Sequence, residues 1–324
     1  MGSARTDTNG SAKLDQKYRS LSAKAQKGTR LSGNGPRIKN PGVPYFLLIP
    51  VGFFLAGFSF LPFVWALLIS VQPPLQASSG AITQLSWTNF ENILTDPLTY
   101  NAIRVTLIYA LVSTLFIVVF SVGCSLALKT VRKGANVYQL FLLIPLTMAP
   151  PVVVILWQAM FDPNGGAVDG LFQVIGIPQQ GFYEDINQSL PVLIAMAVWS
   201  NVGFWTLVFL ASLRTLSTEV FEAAEIDGAG PFRTFFAITL PLLRRTVLLA
   251  SVVLSTAGLV VFIPAQLLTQ GGPGDSTRFL MYRAAQDVLR FGDPGDANAL
   301  VVVILVFVAI VVGVQFRLLR SEDA

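Results

Sequence analysis

The sequence has no histidine and a single cysteine, Cys124. One thiol cannot close an internal disulfide, and Cys/His zinc sites have no ligands to draw on. Ser-His and Cys-His nucleophile pairs are excluded for the same reason. No G-x-x-x-x-G-K-[ST] phosphate loop occurs, so the chain carries no Walker-type nucleotide site of its own. Charge is scarce as well. Asp, Glu, Lys and Arg make up 12% of the residues, about half the share usual in soluble domains. None of the 18 acids lies in the middle of an apolar run, where a proton-coupled carrier usually keeps one.

Apolar sequence fills the space instead: 53% of the chain is hydrophobic. A helix needs about 20 such residues to cross a bilayer. Six runs qualify: Pro44 to Val71, Val105 to Leu128, Tyr138 to Met160, Leu190 to Leu213, Thr246 to Leu268 and Ala297 to Phe316. A soluble core does not bury six such runs in series. The expected fold is an all-α polytopic membrane protein with six transmembrane helices.

Positive charge near a span is retained on the cytoplasmic side. Of the 22 Lys and Arg, only Arg104, Arg278, Arg283 and Arg290 fall in the segments after the first, third and fifth runs. The others lie in the N-terminal tail, after the second and fourth runs, and at the C-terminus. Both termini are therefore expected in the cytoplasm. The net charge of +4 follows from this asymmetry and does not imply a nucleic-acid partner. Residues 1–43 are polar and rich in Gly, Ser and Lys. They read as a disordered basic cytoplasmic tail, suited to anionic lipid heads. Residues 44–320 then form one six-span domain, with a cytoplasmic loop over 214–245.

That loop contains EAAEIDGAGPFRTFFAITLPLL, from Glu222 to Leu243. It reads as two short helices. Ser217 or Thr218 is placed to cap the first, and Glu219 and Glu222 lie in its first turns, where the helix dipole favours carboxylates. Val220, Phe221 and Ala224 give it a small apolar face. Gly228 is positioned for a left-handed cap, Pro231 for the first position of a second helix, and Pro241 for entry into the fifth span. A helix of about ten residues is marginal alone in water and needs something to pack against. From the residues alone, a partner's groove and a solvated loop acid cluster are both open.

The residues Glu222, Ala223, Ala224, Gly228, Ile238, Leu240 and Pro241 resemble the signature of inner-membrane permeases of bacterial binding-protein-dependent ABC importers. No position is missing and no spacing is altered. Thr269 to Asp287, with its TQGGPGDST opening, resembles the segment after the fifth span in the first permease of carbohydrate-type importers. Trp87, Asn89 and Phe90 resemble a W/L-x-NF segment of the same group. The loop itself is especially similar to maltose-type and glycerol-3-phosphate-type permeases. The resemblance covers roughly residues 45 to 318 and implies the type I importer permease fold. It implies a chain that is not an enzyme and binds no cofactor, with ATP and Mg on partner subunits. The partners would be a second homologous permease, two ATP-binding subunits and an extracytoplasmic solute-binding protein, in a bacterial inner membrane. Phe221, Glu222, Ala223, Ala224, Asp227, Gly228 and Ala229 would belong to the coupling helix that docks an ATPase subunit.

The resemblance also implies a cargo path lined mainly by spans three to six. Trp199, Asn201 and Phe204 would share the span-four face that contacts sugar in maltose-type relatives, with Ser200 and Thr206 nearby. Gln158 in span three and Gln266 in span five are further lining residues. Asn201 has a second role open to it, a hydrogen bond between helices. Span five is more apolar than in sugar-binding relatives, and Gly258 and Pro264 predict a kink there. Arg278 and Arg283 would meet a phosphorylated cargo, acids on a binding protein, or solvent. Two other classes compete with the importer: a self-contained secondary carrier or channel for small polar solutes, and an integral-membrane enzyme. The missing intramembrane acids oppose the first, and the lack of any polar cluster outside the loop opposes the second.

Overall fold

The computed structural model describes residues 43–73, 85–131 and 133–320. The expected tail, residues 1–43, lies outside them except for Val43. Every described regular element is helical. The chain divides into two units, with the boundary between Leu61 and Pro62. The first contains α1 (Val43–Leu55) and a π turn, Ala56–Phe60. The second runs on from α2 (Leu61–Ser70).

In chain order its further helices are α3 (Thr88–Thr95), α4 (Pro97–Thr130), α5 (Ala135–Leu143), α6 (Pro150–Met160) and α7 (Ala167–Val174). They are followed by α8 (Ser189–Arg214), α9 (Thr218–Ile226), α10 (Pro231–Thr234), α11 (Leu240–Leu259), α12 (Leu280–Leu289) and α13 (Pro294–Arg320). Among the described residues, five helices are long and apolar enough to cross a membrane: Leu48–Ser70, Pro97–Thr130, Ser189–Arg214, Pro231–Leu259 and Pro294–Arg317. A sixth span exists only as the pair α5 and α6, bent by 100°.

That bend corrects the expectation of one continuous third span from Tyr138 to Met160. Proline is the cause. Pro145 opens a 3₁₀ turn, Pro145–Thr147, and Met148 and Ala149 are extended, with ψ of 137° and 141°. The residue before a proline is pushed out of the helical region, which accounts for Ala149. Pro150 then begins α6, where its missing N–H leaves no bond unmade.

The fifth span differs from the expected Thr246 to Leu268 at both ends. It begins at Pro231, so the second short helix of the loop is the start of the span itself. Pro241 is not a boundary. It follows a π turn, Phe235–Thr239, whose wider coil accommodates a ring that otherwise clashes with the carbonyl four residues back. The sequence repeats the device: Pro62 follows the π turn Ala56–Phe60 by two residues. At its far end the helix stops at Leu259, and a short π segment, Ala265–Thr269, follows Pro264. The expected kink is thus a complete break.

Lipid offers little hydrophobic drive for helix association, so close packing of small residues and hydrogen bonds between helices must hold the bundle. On α4 the buried face carries Ala102, Thr106, Ala110, Ser113, Ile117 and Ser121 at helical spacing. Ser121 Oγ donates to the Val202 carbonyl on α8 at 3.1 Å, and the Ser212 and Thr246 hydroxyls join α8 to α11 at 2.9 Å. Backbones touch at Gly203, where an added Cβ would stand 1.7 Å from the Leu142 carbonyl oxygen of α5.

The loop residues that resembled permease segments are built into this frame. Asn89 is fully buried, and its amide donates to the Ser70 and Gln72 carbonyls at 3.0 and 2.7 Å, closing the end of α2. The Gly-Gly-Pro strap is tied down by Asn101, which donates to the Asp275 carbonyl at 2.8 Å, and by a Ser189–Ser276 hydroxyl contact at 2.7 Å. Arg278 pairs with Asp275 at 2.7 Å, and Arg283 joins α12 to the start of α4 through Asp96 at 2.5 Å. Both arginines are engaged in ion pairs within the chain.

Candidate functional site

The geometry of the loop over 214–245 follows closely from its sequence. Ser217 occupies the cap position of α9, yet its hydroxyl makes no capping bond. The other end is tightly specified. Gly228 is left-handed at φ +72°. Its N–H donates to the Glu225 carbonyl at 3.0 Å, and that of Ala229 to Ala224 at 2.9 Å. These are the two bonds of a Schellman turn, which glycine closes without a Cβ penalty.

Ala224 is the one buried residue of α9, while Glu222, Ala223, Asp227 and Gly228 are exposed and Phe221 and Ala229 half-buried. Lys129, from the last turn of α4, places its Nζ 4.4 Å from the Phe221 ring centroid. This contact with the second span's end was not foreseen, since Lys129 and Phe221 are far apart in sequence. A cleft of about 310 Å³ lies against α9 and the start of the fifth span, lined by Ala223, Ala224, Asp227, Ala229, Arg233 and Ile238 among others. Beside it Val220, Ile226, Phe232 and Phe236 are exposed by 44, 86, 80 and 64%. Large apolar side chains this exposed, on α9 and on the first turns of the fifth span, next to acids, are suited to an interaction surface.

The expected path residues do not share one surface. Two positions apart on an α-helix are about 200° apart around it, so Trp199 and Asn201 face opposite ways on α8. Trp199 lies in an apolar groove of about 640 Å³ with Val112, Phe116, Phe120 and Cys124 of α4. Its ring is 6.1 Å from Trp157. Phe204 is 43% exposed with its ring edge-on to Trp205, Gln158 is exposed, and Gln266 is half-buried in the π segment. Thr206 is buried and donates to the Val202 carbonyl at 2.7 Å. Of these residues, Ser200 and Asn201 line a cavity shared with both broken spans.

They line a cavity of about 340 Å³ whose other walls include Tyr109, Met148, Pro150, Val153, Met196, Ile263 and Pro264. Asn201 Nδ2 donates to the Ala197 carbonyl on its own helix at 2.8 Å, so the expected bond between helices is not made. Ser200 donates to Met196 at 2.8 Å. The interrupted spans thus bring residues flanking two breaks, Pro145–Pro150 around the break at Met148–Ala149 and Ile263–Pro264 after the break at Val260–Phe262, to one side of α8. Non-helical backbone at membrane depth is tolerated where it is enclosed by protein or lines a water-filled cavity, and transporters use it to form binding sites. Tyr109 and Met148 were missed; the prolines of the third run were the available signal.

At the end of the bundle that carries the Gly-Gly-Pro strap, burial pushes the Asp287 carboxyl up to about 6. Arg283 opposes that rise and Asp296, Asp293 and Asp96 add to it. Asp96 moves the other way: burial raises it, but the Leu98 amide and Arg283 together hold it below the usual value.

Among the described residues the chain is thus an all-helical bundle of membrane-length apolar helices with breaks beside one cavity, the make-up of a multi-pass membrane protein. Residues 119–321 match the family described as "Binding-protein-dependent transport system inner membrane component", and the chain belongs to that family of inner-membrane ABC transporter permeases. It is 29% identical over 283 residues to the diacetylchitobiose uptake system permease protein NgcF of Streptomyces coelicolor, covering 82% of this chain and 80% of that one. Against the sn-glycerol-3-phosphate transport system permease protein UgpA of Pectobacterium atrosepticum the identity is 27%, covering 90% and 99%. Its fold is similar to that in the crystal structure of a bacterial alginate ABC transporter in complex with an alginate pentasaccharide-bound periplasmic protein. There the TM-score is 0.76 at 20% identity, over 86% of this chain and 94% of that one.

Proposed function

We propose that this chain is one of the two permease halves of an ATP-driven importer for a sugar or a glycerol-phosphate-like solute. It performs no chemistry itself. ATP and Mg bind and react on two partner subunits, and α9 docks one of them. A second homologous permease completes the path, and an extracytoplasmic solute-binding protein delivers the cargo. Both termini lie in the cytoplasm, residues 44–320 form the membrane domain, and the tail before them is a basic cytoplasmic segment.

The observation that carries this reading is the make-up of α9: a nine-residue helix anchored inward through Ala224, closed by Gly228, and rimmed by exposed apolar and acidic side chains. Such a helix is too short to persist on its own propensity. A partner's groove around it would supply the missing contacts, and movement of that partner would pass along the continuous helix from Pro231 to Leu259 to the break beside the cavity. The relatives' printed cargoes, diacetylchitobiose and sn-glycerol-3-phosphate, support the solute class.

Two variants test the docking. Glu222→Lys reverses an exposed charge on α9, and Gly228→Asp puts a side chain on the left-handed turn. Each should abolish ATP-driven uptake while the external receptor still binds its ligand. Normal uptake by both would refute the assignment.

A further inference from the structure

The cavity beside Asn201 is lined by a tyrosine whose hydroxyl makes no protein hydrogen bond among the described residues. Tyr109 is 5% exposed, lines the cavity, and rests its ring on Phe279 with centroids 4.9 Å apart. Its hydroxyl has no hydrogen-bond partner among the described residues. It also differs from the fully enclosed orphan atoms of α4, such as Thr114 Oγ1, so it opens onto the cavity. A cargo hydroxyl can accept from this phenol in place of water.

The other polar groups complement it. Asn201 commits one N–H to Ala197 and keeps its Oδ1 free; Ser200 commits its proton to Met196 and keeps its lone pairs. The cavity wall thus offers a phenol and a second amide N–H as donors beside the Asn201 and Ser200 oxygens as acceptors, and Met148, Val153, Met196 and Ile263 are apolar around them. Among the described residues no Lys, Arg, Asp or Glu lines this cavity. A phosphate or carboxylate entering it would lose its hydration and meet no cation, whereas recognition of such groups calls for charge-assisted bonds. A neutral polyhydroxyl molecule exchanges water for these groups one for one.

Resting on the reading that this cavity lies on the cargo path, we propose that Tyr109, Ser200 and Asn201 form a charge-free polar set. It selects an uncharged, hydroxyl-bearing cargo, with Tyr109 as a donor, and disfavours phosphorylated or carboxylated ones.

The charge of the cavity is measured without knowing the cargo. Cys124 is the only native thiol, so Ala197→Cys in a Cys124→Ser background places a single reactive group on the cavity wall. The assembled transporter in membrane vesicles is treated with methanethiosulfonates bearing a sulfonate or an ammonium group. Relative to a free thiol, the two rates should agree within about threefold, because no fixed charge stands nearby to favour either. Sulfonate faster by more than about tenfold would reveal a cationic site and overturn the proposal. No reaction with either would overturn it too, since the cavity would be closed to water.

Tyr109→Phe keeps the ring and its packing while removing the donor. Uptake is followed with radiolabelled maltose, N,N′-diacetylchitobiose and sn-glycerol-3-phosphate. A transported neutral sugar should show a KM raised about three- to tenfold by Tyr109→Phe, the worth of one hydrogen bond, with the maximal rate retained. ATP-driven uptake of sn-glycerol-3-phosphate, or an unchanged KM for the sugar, would overturn the proposal. If none of the three is moved, the thiol rates decide alone. Failure of the importer reading shows separately, as absence of an ATP-binding subunit from the purified complex.

Discussion

Alanine at Gly203 should unseat the bent third span. An added Cβ there would stand 1.7 Å from the Leu142 carbonyl oxygen and 2.5 Å from its carbon, where real Cβ contacts essentially never fall below 3.0 Å. The obstruction is backbone, so no side chain can swing aside, and α5 and α8 must separate. Overpacking of this kind costs about 1–3 kcal/mol, and separation also strains the Ser121–Val202 bond nearby. Moving α5 draws the Pro145–Ala149 turn away from Ser200 and Asn201, so stability and transport should fall together. Gly123 and Gly313 are the controls. Both lie in membrane-spanning helices with nothing within 4 Å of an added Cβ, and alanine there should gain about 0.5–1 kcal/mol through helix propensity. Thermal melts of the purified complex, read by size-exclusion chromatography, give the ranking. If Gly203→Ala melts with the wild type or with the controls, the backbone contact is not as described.

A carboxyl whose folded pKa exceeds its usual 3.8 stabilises when protonated; for Asp287 that gain is complete below 3.8 and lost as pH rises through about 6. The melting temperature should therefore rise as pH falls from 7 to 5, and Asp287→Asn should flatten the change; an unaltered profile would contradict the assignment. Asp96 is shifted the other way, so its loss of stability begins below that window. Asn89→Ala removes the donor from two carbonyls and should cost about 1–3 kcal/mol, visible as a lowered melt; wild-type stability would show that the end of α2 is held otherwise. Lys129→Ala removes a cation from the Phe221 ring, worth about 0.5–1 kcal/mol at an exposed site. Uptake should fall modestly and recover in Lys129→Arg, whereas no change in either would detach that contact from coupling.

Hydropathy alone located the five membrane-length helices and the bent pair between them, because crossing a bilayer demands a length of apolar residues that chance does not supply. The turn at Gly228 was equally legible, since a glycine after an amphipathic stretch has few other uses. Helix continuity was not. A hydropathy run records composition, while Pro145, Pro150 and Pro241 act on backbone bonds: the first two break the third span, and the last is absorbed by a π turn that lets the fifth span begin at Pro231. The grouping of Trp199 with Asn201 failed for a geometric reason, since the two cannot share a side of one helix. Tyr109 was out of reach, because its place depends on how α4 packs against the broken spans and not on its neighbours in sequence.

The docking of α9 is tested most directly by cross-linking. With Cys124 replaced by serine, Ala223→Cys carries one exposed thiol on that helix, and a short photo-activated cross-linker on it should capture an ATP-binding subunit in the assembled complex. The account predicts that capture, along with protection of the thiol from bulky maleimides. A complex that hydrolyses ATP and imports its cargo while Ala223→Cys stays fully reactive and uncross-linked would contradict it.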